Sequence, residues 1–288
     1  LVQELKLLTG RSGKLAGRLW LGPGDPVGVV LVIHGLGDHS ARFQALARQM
    51  NAEQWAVFAF DLPGHGASPG RRGSAHSFDR LLADIDCAVR DVRRRLAELH
   101  FGDLPLVLLG HSMGGNLAIN YALRRDEFDS EGNDVDGLVL AAPMLLPPQP
   151  PPRPHIFAAW ITGHLLPTLR VHRSVDAERL TSDPNEADAI AADPQMHASI
   201  TIYLATQLLS QGRWALDHAR ALAIPMLVMF GEHDELIDQA ACEHLPIRAG
   251  EQATVVRWPG KRHALFHDQP DGEVTRLVIE WLKRFGKK

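Results

Sequence analysis

The stretch Leu106-Val-Leu-Leu-Gly110-His111-Ser112-Met113-Gly114-Gly115, continued by Asn116-Leu-Ala-Ile-Asn-Tyr-Ala-Leu123, decides the fold. An apolar run meets Gly-x-Ser-x-Gly, and an apolar helical pattern starts directly behind it, which gives the order strand, tight serine turn, helix. On such a turn the Ser112 hydroxyl stands clear of the backbone at the positive end of a helix. The flanking glycines remove side chains that would crowd the turn and an arriving substrate. With 25 Gly and 11 Ser in 288 residues, chance supplies roughly 0.1 such matches. The pattern therefore needs an independent second signal.

Around this stretch the chain alternates. Val29–Ile33, Trp55–Phe60, Leu106–Leu109, Leu138–Ala142, Met226–Phe230 and Thr254–Trp258 read as strands. Ala41–Asn51, Phe78–Leu99, the segment behind Ser112 and Gly272–Phe285 read as helices. Such alternation implies a mostly parallel sheet covered on both faces. Glu4–Leu8 and Lys14–Trp20 look like an antiparallel hairpin at its edge.

The alternation stops between Pro143 and Ile224, where Pro147-Pro-Gln-Pro-Pro-Pro-Arg-Pro154 opens a different composition. That run favours extended polyproline geometry and is excluded from central strands and helices. Helical patterns follow at Ile156–Leu166, Ala187–Ala191 and Ala198–Gln211. An insertion this long is too large for a loop. We read 147–222 as a helical lid inserted after the sixth strand, over the strand ends where open α/β sheets bind ligands. The core is then formed by 1–146 and 223–288.

The second signal is an ordered pair of partners. A serine hydroxyl is a poor nucleophile until a base takes its proton, and that base must be held by a third group. Phe230-Gly-Glu-His-Asp234-Glu-Leu236 places an acid just past a strand end, and Trp258-Pro-Gly-Lys-Arg-His263-Ala-Leu265 places a histidine after the last strand. The order Ser112, Asp234, His263 is the one this strand–turn–helix context expects. His267 is an alternative base and Asp238 an alternative acid, although Asp238 reads better as the N-cap of the next helix. Glu232 and His233 read as exposed turn residues, and His111 as a packing or hydrogen-bonding residue near the elbow. For the oxyanion, the N–H of Met113 is one donor. The N–H of Leu36, in the turn Ile33-His34-Gly35-Leu36-Gly37 at a strand end, is the second. Asp61-Leu-Pro-Gly64-His65-Gly66-Ala-Ser68 has the density of Asp, Pro and Gly that a tight turn demands.

Composition closes other routes. The formal charge is −4 with both signs interspersed, so there is no footprint for nucleic acid. Arg93-Arg94-Arg95 reads as a solvated helix face. The two cysteines, Cys87 and Cys242, are far apart, which argues for a reducing compartment. We find no metal-ligand spacing, no phosphate loop and no dinucleotide fingerprint, and expect no cofactor and no metal. No run is long enough to span a membrane, and no charged-then-apolar leader opens the chain. The expectation is a cytoplasmic protein, with room left for a leader removed before Leu1. The oligomeric state is left open.

With these residues in place, the chain resembles the α/β-hydrolase superfamily over nearly its whole length. Within it the chain looks most like the monoacylglycerol lipase and lysophospholipase branch. The resemblance is carried by His34-Gly-Leu-Gly-Asp-His-Ser-Ala-Arg-Phe43, Phe60-Asp-Leu-Pro-Gly-His-Gly-Ala-Ser-Pro-Gly70, Gly110-His-Ser-Met-Gly-Gly115, Leu180-Thr-Ser-Asp-Pro184, Ala192-Asp-Pro194, Gly231-Glu-His-Asp-Glu-Leu236 and Gly260-Lys-Arg-His-Ala-Leu265. It implies hydrolysis of a lipid ester, the monoacylglycerols, with Ser112, Asp234 and His263 as triad and Leu36 and Met113 as oxyanion donors. It also implies an apolar lid, residues 155–211, that admits the acyl chain and makes peripheral contact with membranes or micelles. The Pro147–Pro154 run departs from the family pattern. Rival readings are a lysophospholipase, a small-ester carboxylesterase, an aminopeptidase using lid acids among Glu178, Asp183, Glu186 and Asp188, an acyltransferase, and a hydrolase-fold binding protein without turnover.

Overall fold

The structure, a computed structural model, describes residues 2–9, 12–128, 135–172, 176–267 and 272–286. Strands β1 (Val2–Thr9) and β2 (Gly13–Trp20) form the expected antiparallel edge hairpin. Then follow β3 (Gly28–Ile33), α1 (Gln44–Ala52), β4 (Trp55–Phe60), α2 (Phe78–Glu98), β5 (Leu106–His111), α3 (Met113–Leu123) and β6 (Gly137–Ala141). The long segment after β6 contains α4 (Arg153–Leu165), β7 (Arg170–His172), α5 (Ala177–Leu180), α6 (Pro184–Ala192), β8 (Ser199–Thr201) and α7 (Ile202–His218). The chain closes with β9 (Met226–Gly231), α8 (Gln239–Ala249), β10 (Ala253–Trp258) and α9 (Glu273–Leu282).

The eight-stranded sheet has the order β1-β2-β4-β3-β5-β6-β9-β10, and its neighbours from β4 to β10 pair in parallel. Every residue of β3, β4, β5, β6 and β9 is buried, as two covered faces require. Side chains alternate between the faces. Val29, Leu31 and Ile33 join the layer packed with α2, α3 and α8, while Val30 and Val32 join the layer packed with α1 and α9. Ser77 caps α2 by accepting from the Arg80 N–H at 3.1 Å. The arginine cluster on α2 is less solvated than expected: Arg93 reaches Asp103 and the Leu104 carbonyl, Arg95 pairs with Asp91, and Arg94 alone of the three is half exposed.

The segment between β6 and β9 departs from its sequence reading in two places. Ala198–Gln211 is not one helix, because Ser199–Thr201 pairs with Arg170–His172 as a two-stranded ribbon. Helix α7 begins after Thr201, whose hydroxyl accepts from the Leu204 N–H. The proline run does enter a helix: α4 starts at Arg153 with Pro154 in its first turn. Proline is tolerated there because its missing N–H has no intrahelical partner to lose. Pro152 just before it holds the extended geometry expected of the run, φ −55° and ψ 143°.

Hydrogen bonds place this segment over the carboxyl ends of the strands. The His197 N–H donates to Gly37 beyond β3, Ala264 beyond β10 donates to Leu180, and Asp238 beyond β9 donates to Leu146. Asn116, one turn into α3, donates to the Leu208 carbonyl. Among the described residues no helix is long and apolar enough to cross a membrane.

Candidate active site

Ser112 sits between β5 and α3 with φ 54° and ψ −115°, a strained conformation for a non-glycine residue that is held only when its surroundings over-determine it. They do so here. The Ser112 N–H donates to Ala141, and its carbonyl accepts from Gly115, Asn116 and Met144. A Cβ on Gly114 would stand 2.0 Å from the Ile33 carbonyl oxygen and 2.7 Å from that of His34. Only glycine lets the start of α3 come this close to the end of β3. Met113, at the first position of α3, is buried.

Asp234 and His263, far apart in sequence, are brought together. The His263 Nδ1 lies 2.7 Å from Asp234 Oδ2, and both residues are buried. The other Asp234 oxygen accepts from the Leu236 N–H at 2.9 Å, which orients the carboxylate. The His263 loop leans on the elbow: His111 Nε2 lies 3.2 Å from the His263 carbonyl, with the two rings 5.0 Å apart. His111 is thus a neighbour of the His263 loop, and burial beside that ring pushes its pKa down to about 4. His267 does not meet Asp234. It is half-buried, edge-on against Phe43, and its loss of solvent together with the Arg42 charge drives its pKa to about 3. Asp238 caps α8 through the Ala241 N–H, and His233 is exposed in its turn.

The turn after β3 is fixed from several sides. His34 donates from Nδ1 to the Gly35 carbonyl and accepts at Nε2 from the Leu62 N–H at 2.9 Å. A ring that accepts must be neutral there, in keeping with the lowering of its pKa by burial. Gly37 has φ 74°, and a Cβ on it would fall 1.8 Å from the His197 carbonyl oxygen. The Gly35 Cα faces the Ser112 side chain, since a Cβ there would be 3.2 Å from Ser112 Cβ. The Asp61–Ser68 segment is a tight turn: Asp61 accepts from the Ser40 and Ala67 N–H groups, and the Ser68 hydroxyl donates to the Asp61 carbonyl.

Sequence reasoning missed the polar groups that tie this turn to the inserted segment. Asp38 pairs with Arg42, Arg42 with Glu186, and His39 Nε2 lies 2.8 Å from Asp193 Oδ2. Burial pushes the Asp38 pKa up, but Arg42 and the surrounding imidazoles outweigh it and hold it below the ordinary value. It also missed Asn116 and Asn120, both wholly buried. Their signal was available, as two amides spaced i, i+4 in an otherwise apolar helix. Among the described residues no cluster of His, Cys, Asp and Glu could hold a metal ion.

A strained serine at a helix start, and a buried carboxylate–imidazole pair whose loop touches the residue before that serine, are groups of the kind that nucleophilic acyl transfer employs. The sequence profile of the family described as serine aminopeptidase, S33, matches residues 24–270. The chain belongs to this family of α/β-hydrolases. It is 30% identical to monoglyceride lipase from Mus musculus, over 96% of this chain and 88% of that one. To monoacylglycerol lipase from Mycolicibacterium smegmatis it is 29% identical, over 92% and 91%. The crystal structure of Paleococcus ferrophilus monoacylglycerol lipase matches with a TM-score of 0.81 at 27% identity, over 94% of this chain and 99% of that one. The chain also spans 28% of a longer abhydrolase domain-containing protein from Dictyostelium discoideum, at 25% identity. This S33 hydrolase therefore falls in the monoacylglycerol lipase-like branch of the fold.

Proposed function

We propose that this S33 hydrolase cleaves monoacylglycerols to glycerol and fatty acid through an acyl-enzyme. The carrying observation is the buried His263–Asp234 pair, 2.7 Å apart, whose loop rests on the strained Ser112 elbow. In this reading His263 takes the Ser112 proton as the serine oxygen attacks the ester carbonyl. The oxyanion is held by the N–H groups of Met113 and Leu36. His263 returns the proton to the departing glycerol oxygen, then takes one from water, whose oxygen attacks the acyl carbon, and passes that proton to the Ser112 oxygen as the fatty acid leaves. Asp234 keeps the imidazole in the tautomer that can accept, and stabilises the imidazolium. No step uses a cofactor.

The segment 147–222 acts as the lid of this site, with a roof between 155 and 211 that receives the acyl chain. Its exposed apolar residues, Phe157 and Leu165 foremost, support contact with membrane or micelle surfaces where such substrates reside. An aminopeptidase would need carboxylates near the site to hold a substrate amine. Glu186 is engaged by Arg42, Asp183 caps α6, and Glu178 and Asp188 face solvent. Ser112→Ala is expected to abolish release of fatty acid from a monoacylglycerol and labelling by a fluorophosphonate, with an unchanged melting temperature. Retained hydrolysis would overturn the reading. Relative rates on monoacylglycerol, lysophosphatidylcholine and short-chain esters separate the lipase from the lysophospholipase and esterase alternatives.

A further inference from the structure

The turn that carries Asp234 is tied on two sides. Past the end of β9, the Glu232 N–H donates to the Trp258 carbonyl and the His233 N–H to the Lys261 carbonyl, which joins the turn to the loop that carries His263. The Glu232 carboxylate adds a third tie to that loop, accepting from the Gly260 N–H at 3.2 Å. The carbonyl side of the turn faces α8, and there one side chain serves two groups. Gln239 Nε2 donates to the Glu232 carbonyl at 3.0 Å and to the Asp234 carbonyl at 2.9 Å.

The chemistry of this bridge is narrow. A side-chain amide nitrogen carries two hydrogens and can serve the carbonyls of residues i and i+2 together, whereas a carboxylate would set lone pairs against both. Gln239 is the first residue of α8, directly after the capping Asp238. Side chains lean towards the N-terminus of their helix, which brings this one back over the turn. The same end of α8 is fastened to the frame of Ser112. The Asp238 N–H donates to the Leu146 carbonyl, the Cys242 thiol donates to the Pro143 carbonyl at 3.7 Å, and the Met144 N–H between them donates to the Ser112 carbonyl. Gln239 thus closes a path of hydrogen bonds from Ser112, through 143–146 and the start of α8, to the main chain of Asp234.

Just past the far end of α8, the same bridge occurs away from the site. Gln252 Nε2 donates to the Leu222 carbonyl at 2.9 Å and to the Ala249 carbonyl at 2.7 Å. The Gln252 carbonyl accepts from the N–H of Met226, the first residue of β9. The six residues of β9, about 20 Å of strand, therefore separate it from the Asp234 turn. The two glutamines make the same pair of bonds at opposite ends of the sheet.

We propose that Gln239 is a positioning residue, which fixes the Asp234 carboxylate, and through it the His263 ring, relative to Ser112. The carboxylate follows its main chain closely, because Oδ1 is held by the Leu236 N–H and Oδ2 by the His263 ring. A displacement of the Asp234 main chain is thereby passed to the imidazole. The proposal rests on the reading of Ser112, Asp234 and His263 as nucleophile, orienter and base. Small displacements of such groups cost rate rather than affinity.

The test compares Gln239→Met with Gln252→Met, since each replaces a bridging amide by an apolar side chain of the same length. Steady-state hydrolysis of p-nitrophenyl butyrate is read beside proton NMR of the low-field hydrogen between His263 Nδ1 and Asp234 Oδ2, identified by its loss in His263→Ala. Thermal melts show that the variants fold. Gln239→Met should lower kcat ~10-fold, with KM changed by less than about twofold, and should move the low-field resonance upfield. Gln239→Glu should lose at least as much kcat as Gln239→Met. Gln252→Met should keep the kcat and the resonance of the parent. A Gln239→Met enzyme with the kcat of the parent, or equal losses of kcat in the two methionine variants, overturns the proposal. Failure of the underlying reading would show differently, as hydrolysis retained by Ser112→Ala.

Discussion

Asn116→Ala probes how the elbow is held. The Asn116 Nδ2 donates to the Met144 carbonyl at 2.7 Å and to the Leu208 carbonyl at 3.0 Å, and Oδ1 accepts from Asn120 at 3.0 Å. The Leu208 carbonyl lies inside α7 and keeps its helical partner, and Asn120 keeps the Asn116 and Gln211 carbonyls. The Met144 carbonyl loses its side-chain donor, at a cost of ~2 kcal/mol for a buried unsatisfied acceptor. The two shared bonds add about 1 kcal/mol, while alanine returns ~0.6 kcal/mol of helix propensity. The loss wins, leaving a destabilisation of ~2–3 kcal/mol and a drop in Tm of about 3–5 °C for a chain of this size. Because the Met144 N–H donates to the Ser112 carbonyl, the same change loosens the serine turn, and kcat on p-nitrophenyl butyrate should fall ~10-fold or more, with KM little altered. Asn116→Asp should be worse than alanine, because a carboxylate turns lone pairs towards two carbonyls. Thermal melts followed by circular dichroism and steady-state hydrolysis read both effects. An Asn116→Asp variant that melts and turns over like the parent would refute the reasoning.

Asp234→Asn should keep the fold and lower kcat by ~10⁴, because the imidazole is then held in the wrong tautomer; a loss under tenfold would remove Asp234 from the orienting role. His111, His197 and His267 have folded pKa values of about 4, about 4 and about 3, each depressed by burial. The unfolded chain takes up protons that the native state refuses, so stability is complete above pH ~6.5 and declines as pH falls towards 4, by up to ~1.4 kcal/mol per pH unit for each imidazole. Urea midpoints for His267→Leu should fall less steeply from pH 7 to pH 5 than those of the parent, and parallel profiles would contradict the assignment. The Asp84 carboxyl on α2 is pushed up to about 6 by burial, which the Ser12 hydroxyl and Arg80 offset only in part. Its folded value lies above its unfolded one, so the native state loses stability as pH rises from about 4 towards 6 and stays at the lower level above it. Asp84→Asn should therefore gain on the order of 2 kcal/mol at pH 8 and less at pH 5, and a pH-independent difference would count against this account.

The parts of the fold legible in the sequence are those whose residues answer to one dominant requirement. Val29–Ile33 and Leu106–Leu109 must be apolar on both faces, so their runs announce a covered parallel sheet. The glycines around Ser112 must admit a close approach of backbone, and the Ser–Asp–His order follows from strand order. The ribbon of β7 and β8 was not legible. Three residues carry no periodicity, and Ile200, Tyr203 and Leu204 continue the spacing of the helix behind them, so the break is marked only by Thr201 acting as a cap. Pro154 misled because a first-turn proline and a helix-excluding one have the same letter. The ties between the β3 turn and the inserted segment join residues 154 and 144 positions apart, and nothing local in Asp193 or Glu186 points to their partners.

Those ties also limit how substrate can reach the serine. Swinging the inserted segment away as one body would break His39–Asp193, Arg42–Glu186, the His197–Gly37 hydrogen bond and the Ala264–Leu180 hydrogen bond. Two of these hold the turn that carries Leu36, a third its neighbour Arg42, and the last grips the residue after His263. Opening by that route would dismantle the turn and the histidine loop that we propose hold the oxyanion and the general base, just as substrate arrives. Among the described residues helix α4 makes no hydrogen bond or ion pair to that turn or loop, and it buries one residue, so it is the element that can move with the site intact. Hydrogen exchange tests this directly, because local opening is cheapest where few buried contacts hold the backbone. Amides of the central turns of α4, Phe157–Leu165, should exchange at least ~10-fold faster than those of α7 between Leu204 and Leu216, although both lie in regular helix. Equal protection in the two helices would mean that the inserted segment opens as a unit, and that the turn proposed to hold the oxyanion must re-form in every catalytic cycle.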